Sequence, residues 1–211
     1  MAIVKTNWQN FLSQDSELPP DVLFLVTTND DRNVDDFGET VGAHKFLLAG
    51  VSPVFRRMFF GPMKETGEKI KVEETTLEAF NAMISFIYAL PGDEFTLNDI
   101  RCPQKLFELL ALSDKYEILS LKSLASSALE TLPITNENMI FVATVAKKYK
   151  VLFEEVSKKL LVRCLEFMTT SDGRDTLALV TQTRNNFPDA SFDVLHELMN
   201  EGNDTFQLPG I

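Results

Sequence analysis

Few residues of this chain have the types and spacing that catalysis or metal binding requires. The sequence contains two histidines, His44 and His196, and two cysteines, Cys102 and Cys164. These side chains form neither a CxxC nor an HxxxH spacing, so the sequence predicts no metal site and no disulfide framework. Ser52 lies near His44 along the chain, but no G-x-S-x-G motif surrounds it. A nucleophilic triad is therefore not expected.

Phosphate-binding motifs are also missing from the sequence. Neither GxxxxGK[ST] nor GxGxxG occurs, and the order of apolar segments does not suggest a nucleotide-binding βαβ unit. We therefore predict no cofactor and no enzymatic activity.

The charge and hydropathy of the chain restrict its partners. Twenty Lys and Arg residues against 31 Asp and Glu residues give a formal net charge of -11, which disfavours binding to nucleic acid. No apolar run approaches the roughly 18 residues that cross a bilayer, so no membrane association is expected. The polar residues at the start of the chain differ from a signal peptide. We therefore expect an intracellular protein, cytoplasmic or nuclear, that is not secreted.

The first part of the chain mixes predicted strands with predicted helices. The apolar run Val22–Val26 predicts a strand that is covered on both faces. Glu39–Ala43 is expected to return beside it, which makes a hairpin with a long acidic loop. Lys69–Val72 predicts a strand with one buried face, and a short strand is expected near Phe95–Leu97.

Helix signals stand between and after these strands. Ser52-Pro53 predicts a helix start, because serine caps an N-terminus and proline suits the first helical position. Thr75-x-x-Glu78 has the spacing of a capping box, and Ser120 is a candidate cap for a later helix. The apolar stripes of these helices are predicted to form the core; their residues are Leu77, Phe80, Met83, Ile84, Ile87, Leu106, Leu109, Leu110, Leu121, Leu124, Ala128 and Leu129.

From about Leu132 onward the pattern is wholly helical. Asn136–Lys150 and Leu152–Met168 predict an antiparallel helix pair with a short connection. Ser171-Asp172 is expected to cap another helix, and a last helix is expected around Leu195. The sequence thus predicts an α+β domain followed by a helical extension.

Several strings resemble the signature of the BTB/POZ domain, in the same order and with the same spacing. The residues that carry this resemblance are Asp21, His44, Lys45, Ser52, Phe55, Tyr88 and Tyr116, each within a longer matching string such as Ala43–Ala49 (AHKFLLA) or Ser52–Phe55 (SPVF). The resemblance implies the BTB/POZ fold, in which a small mixed sheet is flanked by a helical cluster. It also implies a structural role for His44 at the start of a helix, and a pocket shared by Asp21 and Lys45.

The helical block resembles the opening of the BACK region that follows many BTB domains, and the chain ends before a full-length region would be complete. The matching residues are Thr135 to Asn138, Ala146, Tyr149 and Cys164 to Phe167. We therefore expect an N-terminal arm at residues 1–19, a BTB/POZ domain at 20–131, a truncated BACK-like extension at 132–200 and a flexible tail at 201–211.

The resemblance implies a protein-interaction module, because many family members bind the N-terminal domain of cullin-3 and deliver client proteins to a ubiquitin ligase. Those members tend to carry a hydrophobic-x-Glu motif after the Ser-Pro helix, and Met63-Lys64-Glu65 stands at that place, just after Phe60. We interpret these four residues as a candidate cullin-3 site. Met63 as an ordinary loop residue and Glu65 as a solvated charge remain the alternative.

Two functions stay open at this point. The first is a cullin-3 substrate adaptor that forms a homodimer through its BTB domain, with a client protein that the sequence does not identify. The second is a homo-oligomerisation scaffold without a role in ubiquitination, whether transcriptional, cytoskeletal or dominant-negative.

Overall fold

The computed structural model of the chain describes residues 19–27, 39–62, 64, 67, 69–89, 97, 100 and 102–170. Three strands and seven helices lie within these ranges, and together they make an α+β fold. In chain order they are β1 (Val22–Thr27), β2 (Glu39–Ala43), α1 (Lys45–Val51), α2 (Pro53–Phe60), β3 (Lys69–Glu73), α3 (Leu77–Tyr88), α4 (Pro103–Lys115), α5 (Leu119–Thr131), α6 (Met139–Tyr149) and α7 (Glu154–Thr169).

The three strands form a small mixed sheet in the order β2-β1-β3. The central strand β1 pairs antiparallel with β2 and parallel with β3, so the predicted hairpin is confirmed. β1 alternates between buried and half-buried residues, and the expectation that both of its faces are covered is wrong. One face carries Phe24, whose ring lies 5.8 Å from the ring of Phe55 and 5.2 Å from that of Phe80. Rings at these separations pack favourably, and they join the sheet to α2 and α3.

The cap of α3 differs from the predicted capping box. The N-cap residue is Thr76, whose hydroxyl accepts a hydrogen bond from the backbone N–H of Ala79 at 3.3 Å. The carboxylate that binds the cap comes from Glu108 of α4, which accepts from the N–H and the hydroxyl of Thr76 at 3.1 and 2.6 Å. Gln104 also donates to Glu108, at 3.0 Å. The buried carboxylate therefore has three donors, as a buried charge requires.

Several other predicted boundaries need correction. α5 begins at Leu119 and not after Ser120, and its fully buried stripe is Leu121, Ala125 and Leu129, while Leu124 and Ala128 are half-buried. The helices α6 and α7 begin a few residues later than predicted. Leu77 of α3 is half-buried, although it was expected in the core.

The chain divides into two compact units, Met1–Ala125 and Ser126–Ile211. In the second unit, the Sγ of Cys164 late in α7 lies 3.9 Å from the backbone oxygen of Met139 at the start of α6, as expected of an antiparallel pair. Arg163 of α7 donates to the backbone oxygens of Glu130 and Leu132 at 2.7 and 2.5 Å. Its guanidinium thus satisfies carbonyls at the end of α5 that have no partner within the helix.

Other predictions lie outside the described residues. They concern the N-terminal arm around Trp8, the acidic loop between β1 and β2, most of the strand near Phe95, the helix after Ser171-Asp172, the last helix and the tail. Within the described ranges, no helix combines the length and the hydropathy that a membrane span needs.

We expect Thr76→Ala to lower the free energy of unfolding by about 2 kcal/mol, because it removes a helix cap and one donor to a buried carboxylate. Urea denaturation of the full chain would measure the change. Thr131→Ala is the control: this exposed threonine bonds only to carbonyls of its own helix, and its loss should change the free energy by less than about 0.5 kcal/mol. Equal effects of the two substitutions would contradict the role of the Thr76–Glu108 contact.

Candidate functional site

The side chain of Ser52 joins two helix ends. Its Oγ accepts a hydrogen bond from the backbone N–H of Phe55 at 3.0 Å, which caps α2 as the Ser-Pro pattern predicts. The same hydroxyl donates to the backbone oxygen of Tyr116, the residue that ends α4, at 2.6 Å. Both groups lie at helix ends and therefore lack a partner within their own helix. A single buried hydroxyl satisfies both, and we call this pair of bonds the Ser52 junction.

Stacked rings reinforce this junction. Phe55 is fully buried, and its ring stacks on that of Tyr116 with centroids 4.2 Å apart and on that of Phe59 with centroids 5.7 Å apart. Burial raises the pKa of the Tyr116 hydroxyl to about 12, so this residue stays neutral at physiological pH. Ser52, Phe55 and Tyr116, three of the signature residues, therefore fix α2 against the turn that follows α4.

Four further signature residues meet at the start of α1. The hydroxyl of Tyr88 accepts from the backbone N–H of His44 at 2.8 Å and lies 2.6 Å from its Nδ1. Which of the two atoms donates in this second contact depends on the tautomer of the His44 ring. Burial is the main cause that raises the pKa of Tyr88 to about 12.

The Asp21 carboxylate accepts from the backbone N–H of Lys45 at 2.7 Å. It thereby satisfies an orphan donor in the first turn of α1, where a negative charge is favourable. Asp21 itself is exposed. The Lys45 ammonium lies 5.9 Å from the centroid of the Phe59 ring.

Beyond the Ser52 junction, α2 ends in an exposed aromatic side chain. Phe60 is 62% exposed, although an apolar ring of this size is usually buried. Lys64 is exposed as well. Met63 and Glu65, the other two members of the candidate cullin-3 site, lie outside the described residues. The candidate site therefore rests on Phe60 and Lys64 for its geometry.

The turn after α4 contains Glu117, which the sequence pattern did not indicate. The backbone N–H groups of Glu117 and Ile118 donate to the carbonyls of Asp114 and Ser113 at 3.1 and 2.8 Å, which is the Schellman pattern of a helix C-terminus. Glu117 has a φ of 53°, in the left-handed region where glycine is the usual residue. A non-glycine residue there costs roughly 1–2 kcal/mol.

The Glu117 side chain is directed to α2. Its carboxylate accepts from the guanidinium of Arg57 at 2.8 Å, and both side chains are more than half exposed. An exposed ion pair stabilises a fold by only about 0.2–1 kcal/mol, which is less than the backbone cost. Two residues further on, Leu119 is 77% exposed. The sequence gives no local signal for this turn, because no glycine stands between the apolar stripes of α4 and α5.

A second exposed surface lies on α1. Phe46 is 80% exposed, and Leu47 and Val51 are partly exposed. Gly50 lies between them, and no atom of the described chain is within 4 Å of the position that its Cβ would take. Because residues four apart share a helix face, these four positions form one uncharged, exposed face, which we call the α1 face.

No metal-binding cluster of three or more His, Cys, Asp or Glu side chains exists within the described ranges. Burial raises the pKa of the Cys164 thiol to about 12, so this cysteine is protonated and a poor nucleophile at neutral pH.

Comparison with known families agrees with this arrangement of strands and helices. A family model for the BTB/POZ domain matches residues 13–133 of the chain. The chain belongs to the BTB/POZ family. Domains of this family are protein-interaction modules, and the signature residues described above all lie within the matched range.

Relatives of the chain share this BTB/POZ segment. The "BTB/POZ and MATH domain-containing protein 3" of Arabidopsis thaliana is 32% identical over 163 residues, which cover 74% of this chain and 36% of that protein. The "TD and POZ domain-containing protein 1" of Mus musculus is 37% identical over 93 residues, which cover 44% of this chain and 24% of the relative. The "BTB and MATH domain-containing protein 42" of Caenorhabditis elegans is 24% identical over 147 residues, which cover 65% and 35%. The chain thus matches only a quarter to about a third of the length of these relatives.

The buried and the exposed residues around the Ser52 junction have different roles. Ser52, Phe55 and Tyr116 are buried and fix the position of α2. Phe60, at the end of α2, and Leu119, at the start of α5, are exposed and available for contact with another molecule.

We expect Ser52→Ala to destabilise the chain by about 2–4 kcal/mol, because it removes a cap and leaves the Tyr116 carbonyl without its partner. Ser157→Ala is a matched control, since Ser157 is as deeply buried but its hydroxyl has no hydrogen-bond partner within the described chain. That substitution should be neutral or slightly stabilising. Urea denaturation measures both, and a Ser52→Ala variant as stable as the wild type would refute the role of the junction.

Proposed function

We propose that this BTB/POZ chain is a substrate adaptor that binds the N-terminal domain of cullin-3 in a ubiquitin ligase and has no catalytic activity of its own. The single observation that carries the proposal is the exposed Phe60 at the end of α2, which is fixed by the Ser52 junction and leads directly into Met63-Lys64-Glu65. An exposed aromatic ring is a typical anchor of a protein interface.

The chemistry of the segment fits a protein partner. Methionine is flexible and fills irregular apolar pockets, and a nearby carboxylate such as Glu65 can fix the register of the partner through a charge-assisted hydrogen bond. In this proposal Phe60 and Met63 supply apolar area, while Lys64 and Glu65 supply polar contacts at its border. The helix pair α6–α7 would belong to a BACK-like extension, and the client protein is a further partner of unknown identity.

The homo-oligomerisation scaffold is a second candidate, and the α1 face favours it. An uncharged, exposed helix face that contains a glycine lets a second helix approach closely at that residue, because glycine has no Cβ. In a chain with a net charge of -11, an uncharged surface also avoids repulsion between two copies. We propose that this face forms a symmetric homodimer, which is compatible with cullin-3 binding at Phe60.

Phe60→Asp and Met63→Asp should each weaken binding to the purified cullin-3 N-terminal domain at least about a hundredfold, because a charge enters an apolar contact. Isothermal titration calorimetry measures the affinity. Phe46→Asp, on the α1 face, is the control and should leave the affinity within about twofold. The proposal fails if the folded wild-type protein shows no binding at concentrations on the order of tens of micromolar, which is roughly the weakest affinity expected of this complex.

The same variants also test the dimer, with Phe46→Asp as the disruptive substitution and Phe60→Asp as the control. Light scattering after size-exclusion chromatography should show a dimer for the wild type and for Phe60→Asp, and a monomer for Phe46→Asp, because only the latter places a charge in the α1 face. Phe46 is so exposed that its substitution should not unfold the chain. A wild-type protein that is monomeric at high micromolar concentration would exclude the homodimer.

A further inference from the structure

We propose that the turn between α6 and α7 binds a short acidic segment of a partner protein, in which carboxylates stand beside apolar side chains. This inference goes beyond the proposed function, because it depends neither on cullin-3 nor on the α1 face. The five residues Lys147, Lys148, Lys150, Val151 and Leu152 are called the α6–α7 tip below.

The first argument is that two aliphatic side chains are exposed on a closed turn. Val151 is 94% exposed and Leu152 is 67% exposed, although side chains of these types are usually buried. The backbone holds the turn, since the N–H groups of Leu152 and Phe153 both donate to the carbonyl of Tyr149, at 3.0 and 2.9 Å. The two side chains are therefore presented in a defined position, which lowers the entropy that a partner must remove on binding.

The second argument is the charge beside these side chains. Lys147 and Lys148 lie in the last turn of α6 and Lys150 follows it, whereas α6 contains no acidic residue. The Lys148 ammonium lies 5.5 Å from the centroid of the Tyr149 ring. Positive charge at a helix C-terminus is favourable by itself, which explains the lysines but not the exposed Val151 next to them. A partner that carries both carboxylates and apolar groups accounts for the whole tip.

The acidic residues at the start of α7 are balanced mainly within α7 itself. The Glu154 carboxylate lies 2.6 Å from the ammonium of Lys158, and its pKa is lowered chiefly by Lys158 and less by Lys150. Glu154 and then Glu155 raise the pKa of Lys158 in turn. Residues 147–159 together contain five lysines and two glutamates. The excess positive charge therefore lies at the end of α6, in a chain whose net charge is -11.

The sign and the small size of the tip select the kind of partner. Charges act over about 8 Å at physiological salt, so a group that contacts the tip meets its lysines first, and carboxylates complement them. A bilayer or a nucleic acid is an extended anionic surface that would also meet the acidic remainder of the chain. A short acidic segment avoids this repulsion, and its apolar residues can cover Val151 and Leu152.

Nuclear magnetic resonance of the ¹⁵N-labelled full chain tests the proposal. The probe is a synthetic hexapeptide with two glutamates on either side of a leucine-phenylalanine pair, and the same peptide with lysines in place of the glutamates is its control. We expect the glutamate peptide to shift the amide signals of residues 147–153 with a Kd on the order of 0.1–1 mM, as suits so small a contact. No shift at several millimolar peptide, shifts confined to other residues, or an equal response to the lysine peptide would overturn the proposal.

Lys148→Glu and Leu152→Asp separate the charge of the tip from its apolar contact. Each should weaken binding of the glutamate peptide at least about fivefold, because each places a carboxylate opposite those of the peptide. Both residues are exposed, so the thermal midpoint should stay within a few degrees of the wild-type value.

Lys115→Glu is the matched control for Lys148→Glu. Lys115 is also an exposed lysine in the last turn of its helix, with its ammonium 5.8 Å from the centroid of the neighbouring Tyr116 ring, but it lies outside the α6–α7 tip. Its substitution should leave the affinity for the glutamate peptide within about twofold of the wild type. Equal losses for the two lysine variants would overturn the proposal, because they would indicate an effect of net charge alone.

Discussion

The hydroxyl of Ser52 holds the first turn of α2 against the end of α4, since it accepts from one helix and donates to the other. Both bonds are buried, so losing either partner would leave an unsatisfied polar group in the core. The stack of Phe55 on Tyr116 covers the same junction with apolar area. The direction of α2, and with it the position of Phe60 at its end, depends on this contact.

The residues that make the BTB/POZ signature recognisable in the sequence are mostly residues that build the scaffold. Ser52, Phe55 and Tyr116 are buried, and Tyr88 positions the start of α1 through His44. The exposed positions on this scaffold, such as Phe60, are the ones that another molecule can reach. A shared fold therefore does not by itself determine the partner.

The features that the sequence predicts well are local. The Ser-Pro start of α2, the hairpin of β1 and β2 and the apolar stripe of α3 each follow from neighbouring residues, whose spacing sets which groups meet. The cap of α3 was predicted one residue too early, because the carboxylate that completes it comes from Glu108, 32 residues beyond Thr76, and a local pattern cannot contain such a partner. The positive φ of Glu117 was missed for a related reason: a glycine at this position would indicate a left-handed conformation, whereas a glutamate does not. For the candidate site, the sequence pointed to the end of α2 but not to the turn that faces it.

We propose that the end of α2 and the segment that follows it bind the N-terminal domain of cullin-3. Hydrogen–deuterium exchange of the full chain with and without this domain tests it most directly, because exchange reports backbone protection segment by segment. We expect complex formation to slow exchange in residues 57–65 and to leave exchange in β2 unchanged. A complex that forms while residues 57–65 stay unprotected would contradict the proposal.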